Sequence, residues 1–328
     1  MTTERETKSE PLLEVSGLTV EYDVQGKRFA AISDINLSIN RGETLGLVGE
    51  SGCGKSTMGR AIIQLPRPTY GSVKFSGEEL TNMNPSETRP FRRNLQMIFQ
   101  DPVSSLNPRR RVRNIVAEPL LIAGVRNKEE IDHKVQKALE AVGMDPKITM
   151  DRRPHQFSGG QCQRICIARA LITEPSMIIC DEPVSALDVS VQAQILNLLE
   201  DMKERFGLTL LFISHDLAVV KNISDRVVVM YLGKICELGD SERLYRRPAH
   251  PYTAGLIATI PKIGNNENAH SNTLKGETPS PLTPPSGCKF RSRCPSAKKK
   301  CADNEPVLRE VEPGHQIACH YPLAEVLQ

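Results

Sequence analysis

The sequence Gly49-Glu50-Ser51-Gly52-Cys53-Gly54-Lys55-Ser56-Thr57 lies between a predicted strand and a predicted helix. The strand is indicated by the apolar run at 43–48, and residues 58–64 can form the helix. A glycine-rich turn in this position lets successive backbone N–H groups surround a phosphate, and the helix amino terminus adds its positive dipole. In that geometry Lys55 reaches the β- and γ-phosphates, and the Ser56 hydroxyl can bind Mg²⁺. The stretch therefore predicts a nucleoside triphosphate site.

Composition limits the classes of protein to which this sequence can belong. Its 328 residues are enough for one large domain and a smaller one. The 42 basic residues nearly balance the 39 acidic ones, so the charge does not favour a nucleic-acid partner. Short basic clusters at 109–111, 152–153 and 298–300 lack an aromatic RNA-binding pattern. Solvated loops or subunit contacts explain them better.

No targeting or membrane-spanning segment is expected. The first ten residues are polar and charged, without the apolar core of a signal peptide. The longest apolar runs, such as the one at 227–232, are far too short to cross a bilayer. We therefore expect a soluble, cytoplasmic chain that takes part in membrane processes only through a partner.

The order of predicted strands and helices indicates an α/β fold. Alternation of apolar and polar residues at 12–40 predicts two strands joined by a turn at 23–27, and residues 70–82 predict a further pair. Residues 95–99 predict a buried strand, whereas residues 112–143 have helical spacing and predict a helical subdomain. The later elements favour a mostly parallel sheet covered by helices. They are predicted at 156–171, 177–180, 189–206, 209–213, 217–223 and 227–232.

Two acids at the end of a predicted strand narrow the type of nucleotide site. The apolar run at 177–180 brings Asp181 and Glu182 to the carboxyl end of its strand, beside the glycine-rich loop. There Asp181 can hold Mg²⁺ through a water, and Glu182 is placed to activate the attacking water as general base. A buried strand has no packing reason to end in two acids. His215, after the next predicted strand, could hydrogen-bond the γ-phosphate as a sensor.

A second candidate anion site precedes the helix predicted up to residue 171. The run Phe157-Ser158-Gly159-Gly160-Gln161 offers backbone N–H groups, a hydroxyl and a helix amino terminus to an anion. Two such sites in one chain are unexpected if a single subunit acts alone. Tyr22, at the end of the first strand, is either a ring that stacks on the nucleotide base or an ordinary strand tyrosine.

These segments, in this order, resemble the ATP-binding-cassette family. The motifs are Walker A (49–56), the Q-loop glutamine (Gln100), the signature (158–161), Walker B ending at Asp181, the adjacent Glu182, the D-loop (185–188) and the switch histidine (His215). The resemblance covers the chain from the first predicted strand to residue 260. It implies a P-loop NTPase fold with a RecA-like core, an antiparallel β subdomain and an α-helical subdomain at 104–170.

The resemblance also implies roles for these motifs. Two cassettes of this family pair head to tail, and ATP lies between the Walker A of one subunit and the signature of the other, which would explain the second anion site. It implies catalytic roles for Glu182, His215 and Gln100, and adenine stacking by Tyr22. The implied Mg²⁺ ligands are Ser56, Gln100 and Asp181.

Several stretches are similar to the ATPase subunits of dipeptide and oligopeptide importers in particular. They lie at 49–55, 99–108, 216–220 and 247–253, and the last continues into a Pro-rich tail typical of that group. Nickel importers share much of this pattern, so an importer of nickel or another small solute stays an alternative. Cys162 departs from the polar or basic residue that is common after the signature glutamine. We expect little harm, because Ser158 and Gly160 are intact.

The nine cysteines fall into two groups. Five are scattered through the large domain and are predicted to be small buried or turn residues. The other four, close to the end, are Cys288, Cys294, Cys301 and Cys319. A short Pro-rich segment cannot build much of a hydrophobic core, so a metal would stabilise it.

The identity of such a metal stays open. Thiolates suit zinc or an iron–sulfur cluster, and the cysteine spacings match neither a CxxC zinc ribbon nor a bacterial ferredoxin. Some of the similar peptide-importer ATPases carry a [4Fe-4S] cluster in this tail. The resemblance thus favours a cluster, with zinc and unligated thiols as alternatives. His315 and His320 are expected to be exposed tail histidines rather than ligands.

The sequence as a whole predicts the ATP-hydrolysing subunit of a membrane importer for dipeptides or oligopeptides. Residues 1–262 would form the ATP-binding domain, and residues 263–328 a Pro-rich linker and cysteine-containing tail. The implied partners are a second cassette ATPase, two transmembrane permease subunits and an extracytoplasmic peptide-binding protein, without nucleic acid. The subunit would lie at the cytoplasmic face of the cell membrane.

Two other classes fit the sequence less well. A soluble cassette ATPase that acts on DNA or ribosomes usually has two fused cassettes or a long coiled-coil insertion, and the sequence has neither. A non-hydrolysing partner cassette with a structural role would not need Glu182, His215 and Ser158, which are all present.

Overall fold

The structure, a computed structural model, describes residues 10–24, 26–260, 274 and 276–323. The prediction that no signal peptide is present concerns the first ten residues. Of these, residues 1–9 lie outside the described residues. The polar linker predicted from residue 263 to 272 also lies outside them, as does residue 25 in the predicted turn at 23–27.

Strands and helices alternate along most of the described chain. The strands are β1 (Leu13–Val24), β2 (Lys27–Ile39), β3 (Thr44–Val48), β4 (Tyr70–Phe75), β5 (Glu78–Glu79), β6 (Leu95–Ile98), β7 (Met177–Asp181), β8 (Thr209–Ile213), β9 (Arg226–Tyr231), β10 (Lys234–Asp240), β11 (Arg309–Glu312) and β12 (His315–Ile317). The helices are α1 (Lys55–Ile62), α2 (Pro85–Asn94), α3 (Val112–Ile122), α4 (Lys128–Ala141), α5 (Pro146–Thr149), α6 (Gly159–Leu171), α7 (Val189–Phe206), α8 (Leu217–Ile223), α9 (Ser241–Arg246), α10 (Pro251–Ile257) and α11 (Lys299–Asp303), and Pro154–Gln156 forms a 3₁₀ turn.

The strands form two sheets. The larger sheet has the order β11-β12-β10-β9-β3-β8-β7-β6, and its centre from β9 to β6 is parallel. The strands β10, β12 and β11 extend it in antiparallel fashion. The smaller sheet, in the order β2-β1-β4-β5, is antiparallel. These sheets confirm the predicted α/β fold with an antiparallel β subdomain.

The central parallel strands are buried on both faces. Every residue of β3, β7 and β8 is buried, as their continuous apolar sequences require. Adjacent residues Leu47 and Val48 belong to two different hydrophobic clusters, because successive side chains of a strand point to opposite faces. Since parallel strands end at the same edge, the residues that follow β3, β6, β7 and β8 meet there.

The helices from α3 to α6 form the predicted helical subdomain. Helix α6 packs on α3, α4 and α7. The helical region predicted at 112–143 corresponds to α3 and α4, and Gly124 separates them with a φ of 95°. Helix α2 was not predicted, although its first turn carries a sequence signal. Asn84 and Glu87 form a capping box there, with a proline at the first helical position.

The cysteine-containing tail packs onto the larger domain. Strand β12 pairs with β10 and so joins the main sheet. The Phe290 ring is 2% exposed, and its centroid lies 5.3 Å from that of Tyr231 and 5.2 Å from that of Tyr252. The tail is thus part of the hydrophobic core of the larger domain. For this reason the tail does not need a separate core of its own.

His315 is buried at 1% exposure, so the prediction of an exposed tail histidine is wrong for this residue. Its Nε2 lies 2.8 Å from Oε1 of the buried Glu237, which also accepts hydrogen bonds from the amides of Ala249 and His250. Three partners satisfy this buried carboxylate and tie β12 to β10. The sequence alone does not indicate this pair, because 78 residues separate its two members.

Within the described ranges, no helix has the length and apolarity that crossing a membrane requires.

Candidate nucleotide-binding and hydrolysis site

The glycine-rich loop joins β3 to α1 and depends on two glycines. Gly49 has a φ of 154°, and a Cβ there would lie 2.2 Å from the Met230 carbonyl oxygen. Gly54 has a φ of 104°, and its Cβ would lie 2.6 Å from the Ala31 carbonyl oxygen. Because any side chain at these positions would collide with backbone, the loop keeps the tight path that a phosphate-binding turn needs.

Lys55, the first residue of α1, folds back over the loop that precedes it. Its side chain is almost fully buried, and Nζ donates hydrogen bonds to the carbonyl oxygens of Gly49 at 2.7 Å and Glu50 at 3.1 Å. These two carbonyls hold the ammonium at the mouth of the loop. The cation is therefore in position to pair with a phosphate enclosed by the loop.

Ser56 and Asp181 form a site suited to a divalent cation. The Ser56 hydroxyl donates to Asp181 Oδ1 at 2.7 Å, across 125 residues of sequence. Burial raises the pKa of Asp181, and the Ser56 hydrogen bond and Arg60 oppose the rise. Its other oxygen, Oδ2, is buried without a hydrogen-bond partner among the described residues and lies 3.6 Å from Arg60. A hydroxyl beside a buried carboxylate with an unfilled oxygen fits the oxygen ligands that Mg²⁺ prefers.

Three predicted catalytic residues meet at one carboxylate. Glu182 Oε2 accepts a hydrogen bond from Gln100 at 3.0 Å and lies 3.2 Å from His215 Nδ1. Gln100 follows β6, Glu182 follows β7 and His215 follows β8, so the shared strand edge brings them together. Such an arrangement can orient a water and accept its proton.

The backbone of Glu182 is unusual. Its φ is 47°, in the left-handed region that side chains rarely adopt, while its amide donates to the Ile213 carbonyl oxygen at 3.0 Å. Strain of this kind is commonly kept at functional sites. It turns the chain just after the buried strand and keeps the carboxylate accessible, with 13% of its side chain exposed.

The signature segment caps helix α6. The Ser158 hydroxyl accepts a hydrogen bond from the Gln161 amide, and the Gln161 side chain accepts one from the Ser158 amide. A Cβ on Gly160 would lie 2.5 Å from Cγ1 of Val191, so this glycine is needed for packing on α7. Gly159 is less constrained, since its Cβ would make an ordinary contact of 3.5 Å with Leu187.

The two candidate anion sites do not bond to each other within the described part of one chain. Over the residues that the structure describes, no hydrogen bond or ion pair joins 158–161 to 49–57. Tyr22 is 37% exposed at the end of β1, and its ring centroid is 6.1 Å from that of Phe29 across the hairpin. This exposure leaves part of the ring accessible.

The cysteines of the larger domain are buried, as predicted. They are Cys53, Cys162, Cys166, Cys180 and Cys236. The four tail cysteines line one small cavity. Burial raises the pKa of Cys319 to about 11, and the nearby Cys288, Cys294 and Cys301 raise it further, because thiolates so close together repel one another. In the described part of the chain, however, no group of three or more His, Cys, Asp or Glu side chains could hold a metal ion.

Sequence reasoning missed the contacts that Glu50 makes inside the glycine-rich loop. The Glu50 amide donates to the Tyr252 hydroxyl at 3.0 Å, and the carboxylate pairs with Arg293 of the tail. The partners lie 202 and 243 residues away, so no local pattern could have revealed them.

The β3–α1 loop and the polar edge beyond β6, β7 and β8 define a P-loop nucleoside triphosphatase. The added helical subdomain and antiparallel β subdomain place it in the ATP-binding-cassette class. Comparisons with known proteins agree with this class. Residues 32–185 match the family described as ABC transporter. Residues 236–301 match the one described as "Oligopeptide/dipeptide transporter, C-terminal region".

Relatives and solved structures extend this agreement. The chain is 52% identical to the putative oligopeptide transport ATP-binding protein YkfD of Bacillus subtilis, over 94% of this chain and 95% of that one. It is 50% identical to the oligopeptide transport ATP-binding protein OppF of Escherichia coli, again over 94% and 95%. A dimeric post-hydrolysis structure of the ATP-binding cassette MJ0796 with ADP and Pi is 29% identical, with a TM-score of 0.64, and covers 70% of this chain and 98% of that one. The chain belongs to the ATP-binding subunits of ABC transporters, and its activity is ATP hydrolysis.

Proposed function

We propose that this chain energises the import of dipeptides or oligopeptides. The observation that carries the proposal is the sequence identity of 50–52% to oligopeptide transport ATP-binding proteins. This identity extends over nearly the whole chain, including the tail. Identity that extends through both the cassette and the tail favours the same kind of transporter. An importer of nickel or another small solute is the alternative that the cargo experiment below distinguishes.

In the proposed mechanism, the loop at 49–57 binds the triphosphate and Lys55 pairs with its β- and γ-phosphates. Ser56 and Asp181 would hold Mg²⁺, with Gln100 as a further ligand, and the ion would supply positive charge that offsets the charge of the triphosphate. Tyr22, which is partly exposed, stacks on the adenine ring. The supporting observations are the buried ammonium over the loop and the unfilled oxygen of Asp181.

Glu182 is the general base of the proposed hydrolysis. Its carboxylate takes a proton from a water as the water oxygen bonds to the γ-phosphorus. The bond from that phosphorus to the bridging oxygen breaks, and ADP and phosphate leave. Gln100 and His215 hold the carboxylate in place, which the hydrogen bond at 3.0 Å and the approach at 3.2 Å support.

The ATP site is proposed to be completed by a second cassette. Ser158, Gly159, Gly160 and Gln161 of that subunit would face the loop at 49–57 of this one. Support comes from the lack of any hydrogen bond or ion pair between the two segments within the described chain, and from the dimeric cassette structures that this chain resembles. ATP binding would close the pair, and loss of phosphate would reopen it.

The remaining partners follow from the same family. Two transmembrane permease subunits and an extracytoplasmic peptide-binding protein would complete the transporter, and this subunit would lie at the cytoplasmic face of the membrane. Gln100 would relay closure to the permease through the helical subdomain, since it contacts Glu182 and precedes that subdomain.

For the tail, we propose that Cys288, Cys294, Cys301 and Cys319 bind a [4Fe-4S] cluster, with zinc as the alternative. The shared cavity supports this proposal, as do the pKa values of Cys288, Cys294 and Cys319, which burial raises and the neighbouring tail cysteines raise further. The thiols would have to draw together around the group, because as they stand the described residues form no ready metal site.

Transport by the assembled complex tests the cargo. The chain would be co-purified with its permease subunits and reconstituted in liposomes, with ATP on its own side and the extracytoplasmic binding protein on the other. Labelled dipeptides, oligopeptides or nickel would then be supplied on the side of the binding protein. We expect ATP-dependent uptake of peptide, which Glu182→Gln abolishes. Uptake of nickel without uptake of peptide would replace the proposal with its alternative.

A further inference from the structure

The tail of the chain grips the phosphate-binding loop through one ion pair. The Arg293 guanidinium donates to both carboxylate oxygens of Glu50, at 2.6 Å and 2.9 Å. The Thr278 hydroxyl also donates to Glu50 at 2.7 Å. A bidentate arginine–carboxylate pair is the strongest geometry available to these groups. Its presence fixes the second residue of the loop to a segment more than two hundred residues away.

The pair is sheltered from water. Only 6% of the Arg293 side chain and 24% of the Glu50 side chain are exposed. The guanidinium lies 5.8 Å from the centre of the Tyr231 ring, in cation–π geometry. Tyr231 packs in turn on Phe290, so Arg293 lies next to the aromatic residues through which the tail packs on the larger domain. Coulomb interactions act strongly in such surroundings.

The negative charge of Glu50 would weaken nucleotide binding unless a positive charge neutralises it. It lies within the loop that must accept the negative triphosphate, and it is close enough to interact electrostatically with Lys55. Burial raises the pKa of Glu50, but the hydrogen bonds from Arg293 and Thr278 outweigh this and lower it overall, so the carboxylate is ionised. An ionised carboxylate without a counter-charge would repel the phosphates and compete with them for the lysine.

We propose that Arg293 is a positioning residue of the ATP site. By pairing with Glu50 it removes a negative charge from the mouth of the loop and leaves Lys55 to the phosphates of the nucleotide. The tail thus contributes to nucleotide binding, in addition to packing on the larger domain. This inference rests on the proposed ATP site at 49–57.

Nucleotide affinity of the full-length chain tests the proposal. The probe is a fluorescent ATP analogue titrated with Mg²⁺, with KM and kcat for ATP as a second readout. Arg293→Gln is expected to raise the Kd by about tenfold, since one unpaired charge then faces the triphosphate. Once ATP saturates, kcat should stay within about twofold, because no group that touches the reacting atoms has changed.

Two further variants separate charge from packing. Arg293→Lys keeps the charge and loses the fork, so its Kd should stay within about threefold of wild type. Glu50→Gln combined with Arg293→Gln should recover affinity to within about threefold, because no unpaired charge remains. A double variant as weak as Arg293→Gln would overturn the proposal, as would equal losses for Lys and Gln at position 293.

Controls distinguish this proposal from the one on which it rests. Arg291→Gln is the matched control, since Arg291 donates to Ser286 within the tail, and its Kd should not change. Lys55→Ala should abolish binding; if it does not, the assignment of the ATP site fails. If Lys55→Ala loses binding while Arg293→Gln keeps wild-type affinity, only the role of Arg293 is refuted. Should Arg293→Gln not fold, a folded double variant that binds tightly supports the proposal, and one that binds weakly overturns it.

Discussion

Gln100 and Glu182 are joined by a hydrogen bond of 3.0 Å, although 82 residues separate them in the sequence. Gln100 stands where the chain leaves β6 for the helical subdomain, and Glu182 stands at the end of β7. The same carboxylate lies 3.2 Å from His215. The proposed general base is thus held from two sides, one of them at the entry to the helical subdomain.

We predict that Asp181→Asn weakens the use of Mg²⁺ while the fold persists. In the part of the chain that the structure describes, the buried Oδ2 of Asp181 has no hydrogen-bond partner. Replacing the charged carboxylate with an amide removes the group that would hold the ion. The Mg²⁺ concentration for half-maximal ATP hydrolysis should rise by about tenfold or more. It is measured by titrating Mg²⁺ at fixed ATP.

Asp201→Asn serves as the matched control, because this residue is exposed on α7, away from the strand edge. An unchanged Mg²⁺ requirement for Asp181→Asn would remove Asp181 from the metal site.

We predict that Phe290→Ala destabilises the protein as a whole. Phe290 is 2% exposed among the rings of Tyr231 and Tyr252, so the truncation leaves a cavity where the tail meets the sheet. The free energy of unfolding should fall by about 3–5 kcal/mol, measured by urea denaturation.

Val307→Ala gives the comparison, since Val307 lies in the same tail with 79% of its surface exposed. It should change the free energy of unfolding by less than about 0.5 kcal/mol. Equal, small effects for both variants would mean that the tail is not part of the cooperative core.

We predict that Cys288→Ser removes the visible absorbance of an iron–sulfur cluster from anaerobically purified protein. Loss of one of the four thiolate ligands should bleach the cluster, because only three of the cysteines that line the cavity then remain to bind it. Absorbance spectra with iron, sulfide and zinc analysis provide the measurement. Cys166→Ser, a change at a buried cysteine of α6, is the control and should keep the absorbance. A colourless wild type with stoichiometric zinc would refute the cluster in favour of zinc.

Sequence pattern was sufficient for the elements that carry their own burial signal. The bounds predicted for α7, β8 and α8 coincide with those in the structure. Each is an apolar strand or an amphipathic helix with a clear end, such as Gly207 in the left-handed conformation after α7. The motif order likewise placed Asp181, Glu182 and His215 at one edge, because parallel strands share that edge.

Long-range contacts were beyond the reach of the sequence. His315 was expected to be exposed because nothing near it in the sequence shows that Glu237 is its partner. No sequence pattern assigned a partner to Arg293 in the tail or to Glu50 in the loop. Their pairing depends on how the tail packs on β9 and α10, which local pattern does not encode.

The most direct test of the central claim, that Glu182 activates the water that cuts ATP, is the hydrolysis of ATP by Glu182→Gln. Binding of a fluorescent ATP analogue and release of phosphate would be measured on the same preparation. We predict a Kd within about twofold of wild type and phosphate release slowed by about a hundredfold or more. Phosphate release at the wild-type rate would contradict the assignment of Glu182 as general base.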